Sequence, residues 1–530
     1  MEVRETGLLK SATLISGFTL LSRVLGFIRD MAIAYVLGAG YKADVFFVAF
    51  RIPNLFRRLY AEGSLSLPYM PELGRGLTFG DDASLGRLAS NLGGLAVTFY
   101  LGLTLLGVTI APLLISLLAP GFIGGGAKWQ LAVSLTRWLL PYVYCIGVAG
   151  YIMAVLNTHE HFGAPAAAPS LLNLSMLGLL ALGSYFGIAP EWSLTWGVLL
   201  GGLLQLGLQW HWARRLVIRW TLSRWWRSSE CLAVLKLLGI TVLGAAVYHL
   251  NIFVATLFAS FLPEGSISYL YYAERLIQFP LGIFAGAIGT SVLPRLTRQS
   301  ALEEWSTFRH QVVEALELLW FFTIPAAAGL WVIRIPLVHL LFQRGEFSEI
   351  STLMTAEALG YFALGLWAVA GFRVVVGAWY ALDGAYITVW TGVGALLFNA
   401  VLSALFVGPL GHSGLALAIS ISATVNLALL IFLLAKRVGT IQGGRLFRSS
   451  GRSLVASMFM AIVVHFLCQS NYGGGKLEGG VLMLNLGFWV VAGVVIYLMC
   501  MMVLGLPEGV KNAWVKRRRS ETVKDTPKES

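Results

Sequence analysis

Charged residues are scarce in this chain. Only 12% of its 530 residues are Asp, Glu, Lys or Arg, whereas 57% are hydrophobic. Soluble globular domains carry about 25% charged residues, so this composition excludes an ordinary soluble protein. Stretches with no charged residue at all, such as 88–127 and 479–507, are long enough for a membrane helix of about 20 residues. The sequence therefore predicts an all-α polytopic membrane protein.

Acidic residues and cysteines are also few. The chain has 26 acidic and 38 basic residues, a net charge of +12, and four scattered cysteines for which we expect no disulfide. Basic residues cluster in 214–227, in 436–452 and in the tail. By the positive-inside rule these segments and both termini are cytoplasmic, which requires an even number of spans. This topology accounts for the positive charge without a nucleic-acid partner.

Several motifs of catalysis are missing. The sequence has no G-x-x-x-x-G-K-[ST] loop, so a nucleotide-driven pump is not predicted. His159, Glu160 and His161 do not have the H-E-x-x-H spacing of a zinc site and lie in a predicted cytosolic turn. No nucleophile with a neighbouring base stands out. We therefore predict no enzyme activity, no bound metal and no cofactor.

Apolar runs separated by Gly, Pro and charged residues predict about fourteen spans. An internal repeat groups them. The tetrapeptide A-F-R-I at 49–52 recurs as A-E-R-L at 273–276, an offset of 224, and Asn173 finds Asn399 at an offset of 226. The repeat predicts two parallel six-helix lobes, 1–220 and 221–440. Two further helices in 441–510 and a basic cytoplasmic tail in 511–530 follow them.

The first two predicted helices carry charge where hydrocarbon is expected. The residues concerned are Arg23, Arg29, Asp30, Asp44, Arg51, Arg57, Arg58 and Glu62. A charge near mid-bilayer costs about 2.5 to 3.5 kcal/mol, so such residues are functional candidates that face a cavity or a partner. The alternative is that the charged residues near the cytosolic helix ends only form ion pairs or extend toward the headgroups, for stability. This alternative applies to Arg29, Asp30, Arg57, Arg58 and Glu62.

Helical spacing groups these charges. Asp44, Arg51, Arg58 and Glu62 fall on one stripe of the second helix, within about 40° of one another. On the first helix Arg23 and Asp30 share a face, whereas Arg29 points elsewhere. The repeat makes Arg51 and Arg275 equivalent, one in each lobe, and transporters place their substrate at such lobe interfaces.

The predicted cleft is cationic. Arg275 and Arg373 join the arginines named above, and Glu274 joins the acidic residues. On these apolar segments the basic residues outnumber the acidic ones. The excess favours an anionic ligand. The planar fork of arginine suits phosphate oxygens, and its charge is not lost by titration.

Four segments resemble a known family of lipid II flippases. They are S-R-V-L-G-F-I-R-D at 22–30, F-F-V-A-F-R-I-P-N-L-F-R-R-L-Y-A-E-G-S-L-S at 46–66, Y-Y-A-E-R-L-I-Q-F-P-L-G-I-F at 271–284 and L-F-Q-R-G-E-F at 341–347. The resemblance, to the MurJ (MviN) family, extends to about residue 505. It implies two six-helix lobes, two more helices that form a lipid groove, and alternating access that moves lipid II across the cytoplasmic membrane.

The resemblance also implies roles for individual residues. The predicted substrate-binding residues are Arg23, Arg29, Arg51, Arg57, Arg58 and Arg275, and the predicted gating or charge-pairing residues are Asp30, Asp44, Glu62 and Glu274. Arg373 and Asn399 are further candidates from the sequence itself. Arg51, Arg58 and Arg275 are expected to hold the pyrophosphate with help from Arg23. The acids are expected to pair with arginines when the site is empty. Expected partners are lipid II, membrane lipids and cell-wall synthesis proteins, and the chain is expected to be a monomer.

Two other functions remain open from the sequence. A cation-coupled multidrug antiporter, or an exporter of another polyprenyl-linked glycan, shares the expected fold, but a cation-extruding cleft should carry excess acid rather than excess arginine. A non-transporting scaffold fits the intramembrane charge poorly. A strong sodium site is not predicted, because Asn251, Asn399 and Ser403 offer oxygen ligands without a carboxylate.

Overall fold

The computed structural model describes residues 2–124, 126–216, 225–472 and 479–512, which form helices and short turns without a β-strand. In hydrocarbon every backbone N–H and C=O needs a partner within the protein, and a helix supplies its own. The all-α prediction is confirmed. The tail predicted for 511–530 lies outside the described residues from 513 onward.

By length and composition, seven helices among the described residues could cross a membrane, or eight if one bent pair is counted as a span. One of them, Ala385–Val438, has 54 residues and is broken at Gly411, whose φ of 56° and ψ of −136° are not helical. The predicted count of fourteen stays a prediction.

Contacts divide the chain into two compact units. Unit 1 is Met1–Ser268 together with Arg344–Ser348, and unit 2 is Tyr269–Gln343 together with Glu349–Ser530. The helices that begin in unit 1 are α1 Glu2–Leu37, α2 Tyr41–Ala61, α3 Met70–Phe79, α4 Asp82–Thr109, α5 Ala111–Leu118, α6 Ala127–Leu139, α7 Pro141–Thr158, α8 Gly163–Phe186, α9 Pro190–Ala213, α10 Ser229–Ala259 and α11 Ser266–Pro280.

Small residues let the helices of unit 1 approach closely. A Cβ at Gly197 of α9 would lie 2.8 Å from the Cα of Met176, and one at Gly201 would lie 2.9 Å from the Cα of Leu172. Both neighbours belong to α8. Two glycines four residues apart on one face are typical of tightly packed membrane helices, because such packing relies on van der Waals contact.

The segment Arg344–Ser348 packs against the end of α1. The backbone N–H of Glu346 donates to the carbonyl of Tyr35 at 2.9 Å. Gly38 and Gly345 have φ of +62° and +58°, and a Cβ at either would collide with the backbone of the opposite segment. Both positions therefore require glycine, for conformation and for space.

The helices of unit 2 follow α11. A π-helical turn, Leu281–Ala285, leads from α11 into the next helix. The remaining helices are α12 Gly286–Ala301, α13 Trp305–Phe342, α14 Glu349–Leu364, α15 Leu366–Ala381, α16 Ala385–Val438, α17 Gly443–Tyr472 and α18 Gly479–Leu504.

The hairpin of α17 and α18 packs on α13. Its core includes Trp489, which is fully buried, and Tyr497, whose hydroxyl donates to the carbonyl of Phe321 at 2.8 Å. Along most of this contact, apolar packing and that hydrogen bond hold the hairpin against α13.

One end of this hairpin is fixed by a buried ion pair. Arg445 donates from Nε and a terminal nitrogen to the two carboxylate oxygens of Glu317, at 3.1 Å and 2.7 Å. Glu317 is 2% exposed and also accepts from the backbone N–H of Gly509, while Glu508 lies 2.8 Å from Arg445. The turn after α18 is thereby bound to α13.

Arg445→Met should lower the stability of unit 2. Removing one partner of a buried pair costs about 3 to 5 kcal/mol, because the remaining charge stays buried without compensation. Thermal unfolding in detergent should show a clearly lower melting temperature. The exposed Arg448, one turn along α17, supplies the control Arg448→Met, which should change little. Equal effects of the two variants would contradict a structural role for the Glu317–Arg445 pair.

Candidate functional site

The charged residues of α1 are brought together with an amide of α8. Arg29 and Asp30 are each 2% exposed. Arg29 donates to the Oδ1 of Asp30 from Nε at 3.1 Å and from a terminal nitrogen at 2.7 Å, and its other terminal nitrogen donates to Asn173 Oδ1 at 2.9 Å. The expectation that Arg29 points away from the Asp30 face therefore differs from the structure. Adjacent Cα positions diverge by 100°, but the long arginine side chain bends back to its neighbour.

Helix α2 carries the predicted basic stripe. Arg51 is 8% exposed, and Arg58 is half-buried one turn beyond Asn54. Arg57 donates to Asn54 Oδ1 from two nitrogens, at 3.0 Å and 2.9 Å. Glu62 lies just past the last helical residue and is exposed. Arg51 and Arg58 share one helix face because seven residues make about two turns.

Asp44, in the first turn of α2, binds the beginning of α11. Its carboxylate accepts from the backbone N–H groups of Gly265 and Ser268, at 2.7 Å and 2.9 Å, and from the Ser268 hydroxyl at 2.6 Å. A carboxylate at a helix N-terminus satisfies free N–H groups and interacts favourably with the helix dipole. The partners of Asp44 are thus backbone and hydroxyl groups rather than the expected arginine.

The arginine of unit 2 lies among polar neighbours on α11. Arg275 donates to Gln278 Oε1 at 3.0 Å and to the hydroxyl of Tyr271 at 2.9 Å, and its guanidinium carbon lies 4.8 Å from the centre of the Tyr271 ring. Gln278 in turn donates to Glu274 Oε1 at 2.6 Å. Arg275, Glu274 and Gln278 are therefore linked along one face of α11, directly before the π-helical turn.

The remaining predicted residues have different surroundings. Arg23 on α1 and Arg373 on α15 are exposed. Long side chains at helix surfaces extend toward solvent or headgroups, which sequence spacing does not show. Asn399 of α16 is fully buried, and its Oδ1 accepts a long hydrogen bond of 3.5 Å from Ser403.

Sequence reasoning missed some polar residues of the membrane helices. Asn173 entered only as a marker of the repeat, although it binds Arg29. Glu317 and Arg334 both lie inside a predicted span, and Arg334 of α13 packs its guanidinium over the ring of Trp331. Listing every ionisable residue within the predicted spans would have found Glu317 and Arg334, whereas a single asparagine gives no comparable signal.

The chemistry of these residues is that of binding. Among the residues that the structure describes, no cluster of three or more His, Cys, Asp or Glu side chains could hold a metal ion. Guanidinium groups on α1, α2 and α11 present N–H donors in planar forks, which match carboxylate and phosphate oxygens in pairs. Such groups are chemically suited to anionic ligands.

Comparison with known families matches residues 33–475 to the family described as "Lipid II flippase MurJ". A "Probable lipid II flippase MurJ" of Vibrio cholerae is 35% identical over 433 residues, which cover 80% of this chain and 82% of that protein. One from Buchnera aphidicola is 30% identical over 503 residues, 94% of this chain and 98% of the relative.

Solved structures show the same fold. A structure titled "Lipid II flippase MurJ, inward closed conformation" matches with a TM-score of 0.78 at 24% identity, over 93% of this chain and 98% of the other. An inward-facing multidrug resistance MATE transporter of the MOP superfamily matches with a TM-score of 0.66 at 13% identity, over 79% and 94%. By its match to the family over most of its length, and by its similarity to curated relatives, this chain belongs to the MurJ family of lipid II flippases.

Proposed function

We propose that this protein is a lipid II flippase. It moves the undecaprenyl-pyrophosphate-linked peptidoglycan precursor from the inner to the outer leaflet of the cytoplasmic membrane by alternating access. The observation that carries the proposal is the family match over residues 33–475 in a chain whose membrane helices bear arginines on α1, α2 and α11. It is a monomer embedded in membrane lipids, and proteins of cell-wall synthesis are its further partners.

The cargo explains why arginine is needed. Moving an ionised group from water into an apolar medium costs on the order of tens of kcal/mol, so a pyrophosphate does not cross the hydrocarbon unaided. Arg51, Arg58 and Arg275 hold the pyrophosphate, and Arg23, Arg29 and Arg57 complete the basic set. Paired N–H···O bonds to phosphate oxygens replace the water that the headgroup leaves behind.

Carboxylates balance the arginines when no cargo is bound. The close contact of Asp30 with Arg29 supports this role, and Glu62 and Glu274 act in the same way. Asp44 supports gating instead, because it binds the first turn of α11, the helix that carries Arg275. An arriving pyrophosphate competes with these internal partners, so binding of the cargo is coupled to a change of contacts between helices. Arg373 and Asn399 contribute to the same path.

The helices of 441–510 form the groove for the polyprenyl chain. Apolar side chains along α17 and α18 are exposed, including Phe466 at 65%, Leu484 at 77% and Val503 at 86%. Such a surface suits the long hydrocarbon tail, which stays in the bilayer while the headgroup moves. We further propose fourteen spans with both termini cytoplasmic, the lobes 1–220 and 221–440, and a basic cytoplasmic tail in 511–530.

The membrane potential can return the empty carrier. With an excess of arginine over carboxylate, the empty site carries positive charge, and an inside-negative potential draws positive charge toward the cytoplasm. The gain is about 2.3 kcal/mol per elementary charge per 100 mV. The bound pyrophosphate neutralises that charge, so the loaded site moves outward without working against the membrane potential.

Arg275→Ala should abolish function while the protein remains in the membrane, because the variant loses a guanidinium that binds the cargo. The measurement is growth after depletion of the host's own flippase, with quantification of lipid-linked precursor. We expect lysis and accumulation of the precursor on the cytoplasmic side.

The matched control is Arg298→Ala. Arg298 is an exposed arginine in the last turn of α12, which continues from α11 through the π-helical turn. This variant should support normal growth. Normal cell-wall synthesis from Arg275→Ala, expressed at the level of the control, would contradict the proposed role of Arg275.

Transport by the purified protein should depend on the pyrophosphate. In vesicles, labelled lipid II should be moved at least about tenfold faster than a polyprenyl glycolipid without phosphate, since bonds between guanidinium and phosphate are worth about 1.5 to 3 kcal/mol each. A protease-protection or headgroup-labelling assay reports the rate. Equal rates for both lipids, or transport of cationic drugs alone, would favour a multidrug exporter of the same fold.

A further inference from the structure

Asn173 makes two contacts with α1 at once. Its Oδ1 accepts from Arg29 at 2.9 Å, and its Nδ2 donates to the backbone carbonyl of Ser22 at 3.0 Å. We propose that Asn173 of α8 is a positioning residue that holds the Arg29–Asp30 pair in its transport-competent orientation. This inference rests on the proposed flippase function and adds to it a residue on a neighbouring helix.

The Asn173 side chain lies against Gly26. A Cβ on that glycine would be 3.6 Å from the Asn173 Nδ2 and 3.8 Å from its Oδ1. Gly26 lies one turn beyond Ser22 and one turn before Arg29. The Asn173 amide therefore spans two turns of α1 and passes over a residue that has no side chain. Glycine at this position leaves room for a polar side chain of α8 to reach both the carbonyl and the guanidinium.

The direction of the Arg29 guanidinium depends on that amide. Two of its nitrogens bind the single oxygen Oδ1 of Asp30, and this leaves one terminal nitrogen directed away from the carboxylate. That nitrogen is buried and needs an acceptor, since leaving a buried charged donor unsatisfied is costly. Asn173 Oδ1 supplies it. The asparagine therefore fixes the guanidinium plane in a site that is 2% exposed.

Ser175, on the same helix as Asn173, makes contacts that only join helix backbones. Ser175 is buried on α8, and its hydroxyl lies 2.9 Å from the carbonyl of Leu172 and 2.8 Å from that of Gly197 on α9. It links two helix backbones and contacts no ionisable group. Asn173 differs because one of its two contacts is to a charge of the proposed transport site.

The test uses Asn173→Ala and Asn173→Asp, with Ser175→Ala as the matched control. The aspartate keeps an oxygen for Arg29 but has no N–H for the Ser22 carbonyl, whereas alanine loses both contacts. Lipid II transport in vesicles is measured per folded protein. We expect Asn173→Ala to lose at least about tenfold, and Asn173→Asp and Ser175→Ala to stay within about threefold of wild type.

A second measurement does not depend on transport. In a double-mutant cycle, the melting temperature is measured for Asn173→Ala in the wild type and in an Arg29→Met background. Asn173→Ala should lower the melting temperature of the wild type but change that of Arg29→Met little, because no guanidinium then needs the amide. Equal transport loss in the alanine and aspartate variants, or an Asn173→Ala effect that is the same in both backgrounds, would overturn the inference and leave a packing role through Ser22. A wild-type protein that shows the expected melting cycle but moves no lipid II would overturn the flippase function instead.

Discussion

The buried pair of Arg29 and Asp30 shows the constraint on which this protein depends. A charge inside a membrane protein has to be compensated by an opposite charge or by hydrogen bonds, because hydrocarbon offers neither. Three of the well-buried ionisable groups described above show such partners. Asp44 has backbone N–H groups, Glu317 has Arg445, and Arg29 has a carboxylate and an amide. These polar contacts determine which helices are joined by more than apolar packing.

The pairs are of two kinds. The Glu317–Arg445 pair uses both carboxylate oxygens, with a backbone N–H as a third donor, and it lies where α13, α17 and the final turn meet. Such a saturated pair holds a structure in place. Arg275 instead has the neutral groups of Tyr271 and Gln278 as hydrogen-bond partners on its own helix. A phosphate oxygen is a stronger acceptor than either of these neutral groups. This difference supports the proposal that Arg275 binds the cargo, whereas Arg445 holds the structure in place.

Scarce charge and long apolar runs predict the class of fold, and the described residues are all-α. Helical spacing also predicts correctly that Arg51 and Arg58 lie on one face of α2. These features depend on composition and on helical period, which are local. The division into spans is harder to predict, because the exact ends of the helices also depend on packing.

Partners at a distance could not be read from the chain. Helical spacing gives the direction of each Cβ, but the tip of an arginine lies several ångströms beyond it, and Arg29 therefore reached Asp30 against expectation. Asn173 and Ser268 are 144 and 224 residues from the groups they bind. The helical period of 3.6 residues relates only near neighbours, so it does not predict contacts across such separations. The exposure of Arg23 and Arg373 likewise depends on which helices lie beside α1 and α15.

Helix α11 joins several of these features. Its first turn is held by three hydrogen bonds to Asp44, its middle carries Arg275, and it ends in a π-helical turn. A π turn is a rare hydrogen-bonding pattern that is often found at functional sites. Arg275 therefore lies between an end that Asp44 holds and a π-helical turn. A change of direction at Leu281–Ala285 would move α12 without breaking the bonds of Asp44, whereas movement at the first turn has to break all three. The cost of that second movement is the physical basis for our proposal that Asp44 has a gating role, exerted through the start of the helix that carries Arg275.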